Sequence, residues 1–462
     1  MPPVLALVLT FALIFYLFWR ESRKENGVSN AIWIPTLWFL ISGSKLVSQW
    51  LALFGVRVGD SSLEEGSPID AVIHFGMILA GLFVLRKRSA NLSEFVRNNR
   101  WLAIFLVYCL VSIVWSEFPF VAFKRLIRIL GHPIMALVVL TDPNPKEAFR
   151  TLMKRSAYVL VLFSVLFIKY FPQYGRGFDT WTGMAVNCGV ANSKNELGDI
   201  CMIFGLFFFW NLLQSLQIKN RKARRAELVL NVGFLAAILW LLRMSSSATS
   251  LLCAVIGMIT IWVLRLRLIN KRLIGVYVVA GILALAAAEA VFGIYSHMLD
   301  VLGRDATLTG RSEVWHDALK LQPNPILGAG FESFWLGRRL DALWEKWWWK
   351  PNQAHNGYIE TYLNLGYVGV VLLVGMIIGT FGKISRALLT KFEFARLRLG
   401  FLFVILVYNF TEAAFKNIHP LFTVFYLIAI EYPIVGASRS RRQTGSVRLE
   451  DERMVVSGQV IN

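Results

Sequence analysis

Apolar residues in this chain come in long blocks broken by short polar segments. Blocks at 3–19, 31–54, 69–85, 101–115, 120–140, 156–171, 197–216, 227–242, 247–264, 273–295, 358–381, 399–415 and 420–435 approach or exceed the ~20 residues that an α-helix needs to cross the hydrocarbon core. The pattern predicts an all-α polytopic membrane protein with about 12–13 transmembrane helices. The first block is followed by Arg20, Arg23 and Lys24, with no basic region before it and no small-residue cleavage site after it. It therefore reads as a retained span rather than a signal peptide.

The polar segments are not alike. Lys and Arg number 31 in one alternating set (20–30, 86–100, 141–155, 217–226, 265–272, 382–398 and the tail from 436), whereas the opposite short connections carry only Arg57, Arg176, Lys194, Arg243 and Lys416. Basic loops stay on the cytoplasmic side, which puts the N-terminus outside and the C-terminus inside. One outer connection is long: residues 296–357 include Arg304, Arg311, Arg338, Arg339, three lysines and three of the six histidines. A large polar loop on an otherwise minimal membrane protein is where function concentrates. The chain thus divides into N-terminal transmembrane helices (1–100), a transmembrane bundle (101–295), the large loop with the candidate active-site residues (296–357), C-terminal transmembrane helices (358–435) and a basic cytoplasmic tail (436–462). No internal repeat of fixed period is visible.

Composition narrows the function. Hydrophobic residues make up 56% and charged residues 17%, against about 25% charged in an ordinary soluble domain, so a soluble globular protein is excluded. A net charge of +19 would suggest nucleic acid in a soluble protein. Here the cations sit in short loop clusters rather than one stripe with interleaved aromatics, so no nucleic-acid partner is expected. The four cysteines, Cys109, Cys188, Cys201 and Cys253, form no CxxC pair, which argues against a disulfide framework or a zinc site. HExxH, GxxxxGK[ST] and DxD motifs are absent, and Gly328-Ala-Gly-Phe-Glu-Ser lacks the last glycine of GxGxxG. Neither a metal nor a nucleotide cofactor is expected.

The large loop contains Gly310-Arg311-Ser-Glu-Val-Trp315, then Pro323-Asn-Pro-Ile-Leu-Gly328-Ala-Gly330-Phe, then His355-Asn356-Gly-Tyr358-Ile-Glu360, followed by Leu365-Gly366-Tyr-Val-Gly369 in the next block. Taken in that order, the set resembles the O-antigen ligase and polymerase superfamily. Upstream, Trp115-Ser116-Glu-Phe-Pro119 with Lys124-Arg125, Gly189-Val-Ala-Asn-Ser-Lys194-Asn195-Glu-Leu-Gly198, and Ser245-Ser-Ser247-Ala-Thr249-Ser250 are similar to the succinoglycan-type exopolysaccharide polymerases within it. The similarity covers about residues 100–420. In one departure, many ligases of the superfamily carry an arginine in an S.SR segment where this chain has Ser247-Ala248.

The resemblance implies a bundle of about twelve spans with one large periplasmic loop, set in the bacterial inner membrane with the active site on the periplasmic side. It implies a glycosyltransferase that moves a glycan from an undecaprenyl-pyrophosphate carrier to an acceptor hydroxyl without cofactor. Its surroundings would be membrane lipid, with a chain-length regulator or export machinery as further partners. A pyrophosphate leaves readily, so such a site must mainly hold its charge and activate the acceptor. Arg311 suits the first task because its planar fork binds phosphate oxygens bidentately. Trp315, four residues on, shares its face if a helix opens at Thr309 or Gly310, and could stack on sugar. His355 suits the second task, with Asn356 as a cap for the next span. Glu360 either orients that imidazole or pairs with Lys350. Lys124 and Arg125, with Arg128 beyond them, and Lys194 with Asn195 at the start of the seventh block, are candidate binders of the anionic substrate. Glu412, in the twelfth block, reads as an ion pair with Lys416 ahead of a catalytic base, and is carried as a further substrate-binding candidate. The aromatic cluster from Trp344 to Trp349 reads as an interfacial belt ahead of a sugar platform.

Three functions compete. A polymerase joins lipid-linked repeat units; a ligase passes the finished glycan to lipid A core or protein; a transporter moves the same lipid-linked oligosaccharide. Ser247-Ala248 and Lys194-Asn195 favour the polymerase. The absence of repeated halves and a loop unneeded for alternating access count against the transporter.

Overall fold

A computed structural model describes residues 1–23, 27–56, 66–179, 183–292, 311–415 and 418–432. Its helices, in chain order, are α1 (Pro3–Ser22), α2 (Trp33–Ser42), α3 (Val47–Leu53), α4 (Pro68–Lys87), α5 (Leu92–Asn98), α6 (Arg100–Val111), α7 (Pro119–Leu140), α8 (Pro145–Tyr170) and α9 (Pro172–Gly175). A two-stranded antiparallel hairpin, β1 (Arg176–Phe178) with β2 (Ala185–Asn187), precedes α10 (Lys194–Ser215), α11 (Arg221–Ser245), α12 (Ala248–Val263) and α13 (Ile274–Phe292). The large loop holds α14 (Arg311–Lys320) and α15 (Gly337–Lys346). The chain then continues through α16 (Gly357–Thr390), α17 (Phe392–Tyr408) and α18 (Pro420–Ala429).

Every one of the thirteen apolar blocks carries a helix, and the architecture is an all-α polytopic membrane protein. Among the described residues, seven helices are long and apolar enough to cross a membrane, or up to nine if the two bent pairs are each one span. The block at 31–54 is not continuous: α2 and α3 meet at 59° around Gly43 to Leu46, and α5 lies at 107° to the helix that follows it. Two blocks end earlier than expected. The one at 399–415 stops being helical at Tyr408, and the one at 420–435 at Ala429. Lone polar and charged residues explain the first case, because Asn409 accepts from Ala414 N (3.0 Å) and Phe415 N (3.3 Å), folding the chain into a turn instead of a further helical turn.

Helix α10 is the hub. It is apolar around its whole circumference, and 83% of its most apolar stretch is buried, as expected of a helix surrounded by others. It packs against α8, α11, α12 and α17. Its N-terminus is capped by Ser193 Oγ, which accepts from Glu196 N at 3.1 Å. By contrast α1 is only 17% buried, and its large exposed apolar residues, such as Val4 and Phe15, suit a lipid-facing helix. The polar connections gather at two ends. Arg88 pairs with Asp142, Lys154 with Glu227, and Lys383 donates to Asn99 at one end. At the other, Ser116 meets Ser333 and Asn195 donates to Glu412.

The large loop is docked onto the bundle rather than hanging from it. Helix α16 breaks at Gly366 (φ 63°, ψ −165°), a conformation open only to glycine. A Cβ there would overlap the Ile326 carbonyl. The break frees two backbone amides, and the loop satisfies both: Tyr367 N donates to Pro325 O (2.9 Å) and Val368 N to Ile326 O (3.2 Å). Gly328 (φ 77°) makes the reciprocal close approach to Asn364. The glycines of the Pro323–Gly330 and Leu365–Gly369 motifs thus fasten loop to helix, backbone against backbone. Asn364 Oδ1 accepts from Ser333 N (2.8 Å) and Phe334 N (3.0 Å), and Phe331 N donates to Ser112 Oγ (3.1 Å). Trp335, Phe334, Leu340 and Leu343 give the loop a small core of its own.

Candidate active site

Four elements meet at one end of the bundle: the start of α14, the turn before α16, the irregular connection after α17, and the first turn of α10. Arg311 is the first residue of α14; the expected opening at Thr309 or Gly310 lies outside the described residues. Its Nη1 donates to the Thr411 carbonyl and its Nη2 to Glu412 Oε1 at 3.2 Å. Asn195 Nδ2 donates to the same oxygen at 2.9 Å, and His355 Nδ1 lies 3.0 Å from Glu412 Oε2. All three ionisable side chains are mostly enclosed, with 18% of Arg311, 13% of Glu412 and 24% of His355 exposed. Burial alone would raise the Glu412 pKa, but the hydrogen bond and charge of His355 and the charge of Arg311 outweigh it and hold the carboxyl below its ordinary value.

Local structure explains this convergence. His355 sits in the left-handed region (φ 48°), an uncommon conformation for a non-glycine residue, so its backbone turns sharply just before α16. Asn356 caps α16 as expected: its Oδ1 accepts from Tyr358 N (3.0 Å) and Ile359 N (3.1 Å), while its Nδ2 donates to Phe410 O (3.1 Å). Gly357 N donates to Asn409 O at 2.8 Å. The turn carrying His355 is thereby stitched to the connection carrying Glu412. Because α17 ends at Tyr408, Glu412 is not the mid-helix carboxylate the apolar pattern suggests but part of this connection, facing Arg311 and His355. Lys416, its other expected partner, lies outside the described residues.

The remaining candidates take separate places. Trp315 Nε1 donates to Ala354 O (2.6 Å) and its ring packs on the loop core, so it holds the segment leading to His355. Glu360 accepts from Trp335 Nε1 (3.0 Å) and Ala354 N (2.9 Å), bracing the same segment from below. The Lys194 ammonium is taken by Asp179 at 2.6 Å. Arg125 donates to the Glu332 carbonyl, tying α7 to the loop, and Lys124 lies over the Phe120 ring at 5.0 Å. Trp344, Trp347 and Trp349 pack on the loop core, and Trp348 alone of the four is exposed, at 66%. The departure at Ser247-Ala248 falls beside the site, since Thr411 Oγ1 donates to Thr249 Oγ1 at 3.3 Å.

One pair was not anticipated. His419 Nε2 lies 2.8 Å from Asp199 Oδ2, and Asp199 is almost wholly buried. Asp199 is the carboxylate one turn past Asn195 in an apolar helix. An ionisable residue within a span ordinarily marks a polar cavity, and that rule would have singled it out.

Residues 232–374 match the family model described as O-Antigen ligase, a stretch that includes Arg311, His355 and both glycine motifs. The chain is also 28% identical over 334 residues to the exopolysaccharide production protein ExoQ of Rhizobium meliloti (strain 1021), an alignment covering 69% of this chain and 72% of that protein. The loop whose motifs converge on Arg311, Glu412 and His355 thus lies within the matched stretch, and the chain is similar to membrane proteins of the O-antigen ligase and polymerase superfamily.

Proposed function

We propose that the protein is a polysaccharide polymerase, joining undecaprenyl-pyrophosphate-linked oligosaccharide repeat units at the periplasmic face of the bacterial inner membrane. The observation that carries this reading is the contact of one buried carboxylate, Glu412, with both Arg311 and His355. An ionised carboxylate only accepts hydrogen bonds, so His355 Nδ1 holds the ring proton and Nε2 presents a lone pair. The acceptor hydroxyl gives its proton to Nε2 as its oxygen attacks the anomeric carbon of the donor glycan. The bond from that carbon to the pyrophosphate oxygen breaks, and the electron pair leaves on the pyrophosphate. Glu412 stabilises the imidazolium that results, as the carboxylate of a catalytic triad does. Among the described residues, Arg311 engages two of the roughly five N–H donors of a guanidinium, with Thr411 and Glu412, which leaves the others to pyrophosphate oxygens.

In this reading Asn195 and Glu412 border the reacting centre, and Asn356 and Trp315 hold its loop in place. Lys124 and Arg125 add positive charge at the end where a lipid-linked anion arrives, while the charge of Lys194 there is offset by Asp179. The relative's role in exopolysaccharide production supports polymer synthesis. The ligase reading is favoured by the description of the family model, and it differs in product. Purified full-length protein in liposomes, given lipid-linked repeat units alone, should build a ladder of longer lipid-linked chains. Glycan appearing only when lipid A core is supplied, and only on it, would overturn the polymerase in favour of the ligase.

A further inference from the structure

Helices α8 and α11, both long and apolar enough to cross a membrane, finish at the same end of the bundle as the candidate site, and the β1–β2 hairpin lies against both. A groove of about 630 Å³ is left between the three elements, within the ~300–1,000 Å³ of ordinary small-molecule sites. Val165 and Ile168 of α8 with Trp240 and Met244 of α11 form its apolar wall, and Lys169, Arg176 and Asn187 its polar rim. In the hairpin Arg176 pairs with Asn187 and Phe178 with Ala185, so these four side chains share one face. Phe178 is 80% exposed, and Met184, just before β2, is 62% exposed. Apolar side chains left open at the end of two spans suit a membrane interface better than water.

The hairpin serves the carbonyls at both helix ends. Arg176 Nη2 donates to Ile168 O at 3.5 Å and Asn187 Nδ2 to Met244 O at 3.1 Å. The positive charge of the rim is not neutralised in the same way. Lys169 and Arg176 are exposed, no carboxylate lines the groove, and neither cation forms an ion pair with a described residue. Lys169 instead lies 5.6 Å from the Tyr170 ring centroid. Asp179, the carboxylate at the end of β1, is held by Lys194 at 2.6 Å. Arg243, exposed in the last turn of α11, adds a third cation at this end of the helix. A single cation at the end of a span snorkels to whatever headgroup is near. Here two cations from different elements meet at the head of one apolar groove, which is the charge pattern of an anionic lipid with its tails running down the wall.

We propose that this groove docks an anionic phospholipid of the bilayer, its phosphodiester between Lys169 and Arg176 and its acyl chains along α8 and α11. None of the lining residues belongs to the Arg311–Glu412–His355 cluster, so the occupant is a resident lipid and not the reacting chain. The inference is therefore independent of which glycan reaction the protein carries out. The hairpin nonetheless connects the two places: Asp179 holds Lys194, and the next residue, Asn195, donates to Glu412 at 2.9 Å. A lipid in the groove and the candidate site thus share one support.

The test measures lipid binding to the full-length protein in detergent by native mass spectrometry. Phosphatidylglycerol is the probe, and phosphatidylcholine of the same chain length, which carries no net charge, is the control. Wild type should retain phosphatidylglycerol against an excess of phosphatidylcholine. Lys169→Gln and Arg176→Gln should each weaken that retention about 5-fold and together about 30-fold, the scale of one interfacial cation and of two. The swap of Lys169→Arg with Arg176→Lys keeps both charges and should keep the lipid. Ala237→Phe narrows the apolar wall with every charge in place and should also weaken retention. Unchanged retention in the double glutamine variant, or in Ala237→Phe should that variant not fold, would overturn the inference. Equal retention of the two lipids by wild type would overturn it as well. Displacement by soluble glycerol phosphate as readily as by the whole lipid would reduce the groove to a free-anion site. Displacement by undecaprenyl phosphate at a small fraction of the phosphatidylglycerol concentration would give the groove to the carrier lipid, and either result would sink the phospholipid.

Discussion

Replacing Glu412 by glutamine tests the catalytic arrangement with almost no change of shape. In the wild type, Oε1 accepts from Asn195 Nδ2 and Arg311 Nη2, and Oε2 faces His355 Nδ1. Asn195 and Arg311 are donors there, so the amide oxygen of Glu412→Gln must take the Oε1 place and its NH2 must face His355. That NH2 can only donate, which makes Nδ1 an acceptor and moves the ring proton to Nε2. The base is then protonated where it should accept. The opposite amide orientation would set NH2 against two donors, a worse arrangement. General-base catalysis contributes ~10²–10⁴ to rate, and holding a histidine in the wrong tautomer forfeits most of it. Turnover of Glu412→Gln should therefore fall about 10²- to 10⁴-fold, with a smaller change in donor binding because Arg311 stays charged. The assay is the rate of chain lengthening by purified protein in liposomes, alongside size-exclusion and thermal-melting profiles to establish folding. A well-folded Glu412→Gln with turnover within a few-fold of wild type would refute the tautomer argument and with it His355 as the base.

Arg311→Lys keeps the charge but loses the fork, and Arg311→Ala loses both. Both should lose activity, Ala more severely and with weaker lipid-pyrophosphate binding; near-normal polymer length from either would remove Arg311 from the site. Gly366→Ala must place a Cβ against the Ile326 carbonyl in a backbone region that penalises alanine, so it should cost about 1–3 kcal/mol. A melting temperature equal to wild type would contradict the docking of the loop. Glu412 has a depressed pKa in the folded protein, so its ion pairs add stability above its ordinary value of 4.5, and that stability is lost as pH falls through the lower folded value. Over that window wild type should lose more melting temperature than Glu412→Gln, and parallel curves would count against the pairing. Activity should survive EDTA, as the lack of DxD and metal-ligand spacings suggests; loss restored by a divalent ion would disprove it.

The all-α polytopic architecture and the presence of a helix in each apolar block were legible because a membrane span announces itself locally: some twenty apolar residues can satisfy their backbone in lipid only as a helix. The expected sidedness of the loops rests on an equally local reading, since each basic cluster acts on its own loop. Arg311, His355 and Asn356 were likewise readable, because their motifs are contiguous and their chemistry follows from residue type. What joins them was not readable. The partner of Arg311 is about a hundred positions away, at Glu412, and Asn195 comes to the same carboxylate from more than two hundred. No local pattern reports contacts of that range, and the apolar block at 399–415 pointed to a helix where Asn409 in fact turns the chain. The same limit hid the partner of Asp199. Whether a buried charge is matched is a property of every element around it, and only the packing of α10 and α18 brought His419 to Asp199.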